Sequence, residues 1–137
     1  MKTVSIIFLS TIMLSTLSFG EEYVVISNSK MKDLSTAQIK AVFLKKIALI
    51  DNLNAVPVNL SALDSIREKF ENRLVEMDFE RLKSYWTKEH YLGKRPPITM
   101  QSQESVIAFV KKVEGAIGYI NAKNLDDSVK VLYRWSE

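Results

Sequence analysis

"NLSALDSIREKF", residues Asn59 to Phe70, carries the chain out of a strand and into an amphipathic helix. Just upstream, "AVPVNL" (Ala55–Leu60) is short and apolar and reads as a strand, with Pro57 making it an edge or irregular one. Downstream, Ile66, Phe70 and Leu74 recur every fourth residue, which predicts a helix over 62–75. The turn between them holds two serines, an aspartate and an arginine. Ser61 and Asp64 have the spacing of a capping box, with the acid at the third helical position in place of Glu or Gln. The unpaired N–H groups and dipole of a helix start also favour a bound anion. Two readings are therefore open: a helix that caps itself, or an oxyanion site touching Ser61, Ser65 and Arg67, with Asp64 as acceptor for a protonated oxyanion.

Working outward, "EEYVVISN" (Glu21–Asn28) is β-branched and reads as a strand. In "LSTAQIKAVFLKK", Ser35 and Gln38 form a capping box, and Ile39, Val42 and Phe43 share a helical face. "DNLN" (Asp51–Asn54) is turn-like. Asp78 caps a helix with a Phe79, Leu82, Trp86 stripe, in which Tyr85 and Trp86 are expected in the core. "EHYLGKRPPITM" is a loop ending in an extended piece, with Lys94-Arg95 solvated. Ser102 starts a further helix whose apolar side is Val106, Phe109, Val110 and Val113, and Gly115 stops it. "AIGYIN" and "VKVLYRW" are closing strands, with Gly118 serving close packing and Trp135 packing on a neighbour. Helices alternating with short apolar strands predict an α/β layered domain with a mixed or parallel sheet.

The first twenty residues stand apart. Lys2, an apolar run from Val4 to Leu17, and Ser18-Phe19-Gly20 form the pattern of a cleavable leader, with cleavage before Glu21. This reading makes 1–20 a signal peptide and 21–137 one exported domain, large enough for a single core. Without Lys2, the 19 basic residues become 18 against 16 acidic ones. These charges are interspersed, a balance that predicts neither a nucleic-acid binder nor a membrane-surface binder.

The chain has no cysteine and one histidine, His90. Thiol catalysis, disulfides and thiolate metal sites are thereby excluded. A zinc site needs several ligands at set spacing, so a structural or solvated role is expected for His90 and no metal or cofactor is assigned. No G-x-S-x-G, Walker or G-x-G-x-x-G pattern occurs, and the expectation is a protein that is not an enzyme.

Four pieces in order, "LSTAQIKAVFLKK", "VPVNLSALDSIREKF", "LKSYWTKEHYLGKRPP" and "GAIGYI", resemble the periplasmic phosphate-binding proteins of ABC transporters. The matching residues include Leu34-Ser35, Arg67 with Phe70, Tyr85-Trp86, Pro96-Pro97 and Gly115 to Tyr119. The resemblance implies a single lobe of the type 2 periplasmic-binding-protein-like fold, a mixed sheet flanked by helices. It implies a periplasmic location and phosphate or another small oxyanion as ligand. A membrane permease or other envelope protein would be the partner, and the chain a monomer or homodimer. The family's S-G-T turn, aligned on Arg67 and Phe70, reads Asp64-Ser65-Ile66 here. The candidate ligand residues are thus Ser61, Asp64, Ser65 and Arg67. Asp64 is the departure, since a carboxylate competes for the same N–H groups and repels an anion. The alternative function is a periplasmic protein–protein interaction module that has lost ligand binding.

Overall fold

The computed structural model describes residues 20–137; most of the expected leader, 1–19, lies outside the described residues. The chain forms β1 (Glu22–Ser27), α1 (Thr36–Phe43), β2 (Leu49–Ile50), β3 (Leu53–Asn54), β4 (Val56–Leu60) and α2 (Ser65–Phe70). A π-helical turn (Glu71–Val75), α3 (Phe79–Tyr91), β5 (Ile98–Met100), α4 (Gln103–Lys112), β6 (Ala116–Asn121) and β7 (Lys130–Ser136) follow. Five strands make one mixed sheet in the order β5-β4-β6-β1-β7. Strand β4 runs parallel to β5 and β6, while β1 is antiparallel to both β6 and β7. The expected α/β class and mixed sheet are present.

Helices cover both sheet faces, which explains why all six residues of β6 are buried. Successive side chains of a strand point to opposite faces. Gly118 faces α4, where a Cβ would stand 2.6 Å from Val106 Cγ1. Its neighbour Tyr119 faces the other layer and stacks on Phe70 of α2, with ring centroids 4.0 Å apart. Phe43 of α1 meets Phe70 edge-on at 4.6 Å. This aromatic sandwich fixes the height and tilt of α2 on the sheet. The Tyr119 hydroxyl donates to Asn59 Oδ1 at 3.0 Å and accepts from Leu60 N–H at 3.0 Å, so β6 also holds the end of β4.

Two contacts bind the layers further. The Asn28 side chain, buried after β1, donates to the carbonyls of Val110 and Lys111 at 3.0 and 3.1 Å, satisfying the last turn of α4. Gly115 passes so close to the β3–β4 backbone that a Cβ would lie 1.7 Å from Asn54 O. Gly115 is thus required by close approach. It is not the left-handed stop of α4, whose cap is Val113 in an extended conformation.

Several expectations change. Strands β2 and β3 form a hairpin whose two turn residues, Asp51 and Asn52, both have positive φ, where "DNLN" read only as a turn. Strand β4 is interior, not at the edge. Pro57 is tolerated because β5 pairs only from Val58 onward, and Val56 N–H already serves β6 by donating to Gly115 O. The helix expected over 62–75 begins only at Ser65 and loosens into the π turn after Phe70. In α3 only Leu82 is buried; Tyr85 and Trp86 are half-buried, and Phe79 is 68% exposed. The stripe lies over the layer's rim, so Tyr85 reaches inward only to donate to Leu44 O at 2.6 Å.

Candidate functional site

The end of β4 delivers the chain to the α2 entry, where Ser61, Asp64, Ser65 and Arg67 all lie. The turn satisfies its own backbone. Ser61 Oγ accepts from Leu63 N–H at 3.3 Å, and Ser61 O accepts from Asp64 N–H at 2.9 Å. Asp64 is the N-cap residue, with its carboxylate accepting from Ile66 N–H at 2.9 Å. This corrects the expected cap at Ser61: a short turn intervenes, and the acid itself occupies the capping position. Asp64 O also accepts from Arg67 N–H at 3.1 Å. The N–H donors of Leu63, Asp64, Ile66 and Arg67 are therefore turned to internal oxygens, and Ser65 stays exposed among them.

The Arg67 guanidinium is held as well. Its Nη1 donates to Leu60 O at 3.1 Å, and its Nε lies 3.4 Å from Glu71 Oε1. Burial pushes the Glu71 carboxyl above the ordinary glutamate value, and Arg67 pulls it part of the way back. The pair spans one turn, i to i+4, and that spacing is the sequence signal for Glu71, which the motif-based reading left out. Beside it opens a cleft of about 270 Å³ floored by Phe79, Leu82 and Trp86 and edged by Arg67, Glu71 and Lys83. The cleft is more apolar than an oxyanion pocket, and its one acid is already paired.

The other singled-out residues lie elsewhere. His90 is exposed at the end of α3 against Tyr91, with ring centroids 6.2 Å apart. Lys94 is 3.6 Å from the Glu89 carboxylate. It follows Gly93, whose φ of 81° closes α3 with paired bonds from Gly93 N–H to His90 O and from Lys94 N–H to Glu89 O. Trp135 packs within the cluster formed by Tyr23, Phe70 and Tyr133. Among the described residues, no group of three or more histidine, aspartate or glutamate side chains is placed to hold a metal ion. No helix among them is long and apolar enough to cross a membrane.

No protein-family model matches the chain, and no curated protein matches it. Solved structures do. A phosphate ABC transporter substrate-binding protein from Clostridium perfringens, solved with bound phosphate, is similar over 83% of this chain at 23% identity and a TM-score of 0.66. The fold is that of half a phosphate-transport binding protein. An ABC-type phosphate transport receptor from Vibrio cholerae is similar over 83% of the chain (16% identity, TM-score 0.61). PstS from Borrelia burgdorferi is similar over 84% (13% identity, TM-score 0.62). The chain spans 45%, 46% and 48% of these three proteins, a stretch the size of one lobe.

Proposed function

We propose that this chain is an exported lobe of the phosphate-binding-protein type that works by contact with another protein and no longer holds free phosphate. One observation carries the reading: the α2 entry is filled by its own groups. The N–H donors of Leu63, Asp64, Ile66 and Arg67 point to internal acceptors. Arg67 is committed to Leu60 O and Glu71. An incoming oxyanion would have to displace the Asp64 carboxylate and then sit beside it. The Coulomb cost of two like charges at that distance opposes binding. The export step rests on the leader pattern of residues 1–20.

A second reading is favoured by the likeness to a protein that carries bound phosphate. In it, Ser61, Ser65 and Arg67 bind a small oxyanion, with Asp64 accepting its proton, and a permease receives the ligand. Binding proteins bury ligand by closure between lobes. This reading therefore needs a second lobe, from another chain or a homodimer.

Calorimetric titration of the purified protein with phosphate, then sulfate, separates the two. The expected result is no heat and no rise in melting temperature at millimolar anion. A ligand at a hundred times its Kd would add about 2.7 kcal/mol of stability, so even weak binding would be visible. Micromolar binding that is lost in Arg67→Ala would overturn the docking reading.

A further inference from the structure

The charge of residues 21–137 is nearly balanced, but it is not evenly spread. From Arg81 to Thr99 the chain carries Arg81, Lys83, Lys88, Lys94 and Arg95 against one acid, Glu89, while the rest of 21–137 holds 13 basic and 15 acidic residues. The fold sharpens this asymmetry. All five basic residues are exposed, whereas Glu89 turns inward, its side chain only 13% exposed and its Oε2 buried. Lys94 Nζ lies 3.6 Å from that carboxylate, yet its side chain stays 46% open. The exposed acids of α3, Asp78 and Glu80, sit at its other end. Glu80 is roughly 16 Å along the axis from Tyr91, beyond the screening length of about 8 Å at physiological salt.

Apolar groups project from the same end. Tyr91 is 85% and Leu92 67% exposed. Lys88 precedes them by three and four residues, the spacing of neighbours on a helix surface. A shallow cleft of about 420 Å³ runs back from Tyr91 and Pro96 past His90, Thr87 and Trp86 to Lys83, with no acid in its lining. The bonds from Gly93 and Lys94 N–H to His90 and Glu89 O hold the tip in one geometry.

We propose that this end of α3 is a contact for a lipid surface. Tyr91 and Leu92 enter the headgroup layer, Lys88, Lys94 and Arg95 meet the phosphates of anionic lipids, and Lys83 adds to the same field from the cleft. The residue types favour lipid over protein. Rings that are apolar with one polar edge, as in Tyr91 and Trp86, suit the membrane–water interface. Lysine stems lie along apolar surface while the ammonium reaches outward. Lysine is depleted in protein–protein interfaces, and three of these four basic groups are lysines. A cluster of four Lys or Arg side chains on an amphipathic helix is one that anionic lipid attracts. A small apolar tip holds weakly alone, and tip and charge together give reversible attachment. This contact goes beyond the protein docking proposed above and stands without it.

Co-sedimentation of purified residues 21–137, free of the apolar leader, with lipid vesicles tests this. The vesicles are phosphatidylcholine alone, or with one third phosphatidylglycerol. The expected result is binding to the mixed vesicles only, reversed by added salt. Lys88→Gln and Arg95→Gln should each weaken it about fivefold. Tyr91→Ser with Leu92→Ser, both at exposed positions, should weaken it at least as much. Lys111→Gln with Lys112→Gln removes two charges from α4 and should leave binding within about twofold. Trp86 emission should shift to the blue on binding, a shift missing from Trp86→Phe, while the buried Trp135 stays silent. No binding to the mixed vesicles at low salt, or an equal loss in the α4 variant, overturns the proposal. So does capture by polyglutamate with none by vesicles, which would make this end of α3 a contact for an acidic protein.

Discussion

Arg67 and Glu71 lock the first turn of α2 to the strand before it: Nε is 3.4 Å from the carboxylate, Nη1 is 3.1 Å from Leu60 O, and the two side chains are only 22% and 18% exposed. Arg67→Ala would leave a largely covered carboxylate unpaired and a strand-end carbonyl without its donor. The expected loss is about 2–3 kcal/mol by urea unfolding at neutral pH. An Arg67 that serves only as an exposed ligand group would cost almost nothing to remove.

The pH dependence follows from Glu71. Its folded-state carboxyl titrates above the ordinary value near 4.5, because burial disfavours the charged form more than Arg67 restores it. A raised acid binds its proton more tightly in the folded state. Its stabilising contribution is therefore complete below the unfolded value and is lost as pH rises through the folded one. Glu71→Gln should flatten the stability profile above pH 4.5, measured by chemical denaturation across pH. The Arg67→Ala deficit should shrink on acidification, as Glu71 takes up its proton.

Asp64 tests the self-filled turn directly. Asp64→Ala removes the N-cap and should cost about 1 kcal/mol. Asp64→Ser with Ser65→Gly keeps a capping oxygen and removes the charge. Phosphate should then raise the melting temperature of the double variant but not that of the parent. If neither responds, the obstacle to an anion lies in the Arg67–Glu71 pair.

Two glycines of the late strand region should respond unequally to alanine. Gly115→Ala drives a Cβ to 1.7 Å from the Asn54 carbonyl oxygen, where backbone would have to move. Its expected cost is roughly 3 kcal/mol or more. Gly118→Ala meets Val106 Cγ1 at 2.6 Å and Val110 Cγ2 at 3.5 Å, side-chain atoms that can shift. About 1–2 kcal/mol is expected there. Thermal unfolding of the two variants side by side gives the order.

Asn28→Asp should be worse than Asn28→Ala. Alanine removes the amide donor from two α4 carbonyls and the Oδ1 acceptor from Lys30 N–H, at about 1–3 kcal/mol. Aspartate points a negative acceptor at acceptor oxygens on the negative end of the helix. Chemical denaturation of both variants checks the ranking.

What the sequence revealed depended on which force set each element. The strands β1, β4, β6 and β7 and the helices α1 and α4 were legible because burial on a sheet imposes its own periodicity, as in Val106 and Val110. The Asp51-Asn52 hairpin was half seen, since a two-residue turn with both φ values positive is normally announced by glycine. The α3 stripe was half right: Leu82 is buried and Tyr85 and Trp86 pack against the core, but Phe79 is exposed, because hydrophobic spacing marks a face without fixing how far it is covered. At the candidate site, the residues singled out in the sequence do gather at the α2 entry, but the capping role falls to Asp64 and not to Ser61. Whether Asp64 caps the helix or Ser61 does turns on one extra loop turn, and Glu71 entered only through its geometry with Arg67.

The pairing of β1 has a consequence for how the chain reaches its structure. Tyr23 lies beside Asn121 on one side and Trp135 on the other. The first of the described strands therefore waits for the last two, and its fully buried Val24, Val25 and Ile26 have no sheet to join until residues 116–136 are free to pair. Loop closure over such separations is slow and must precede its reward. The domain cannot assemble piece by piece from its N-terminus. Its core strand stays unpaired until nearly the whole chain is available, so the sheet closes as one late event and not strand by strand.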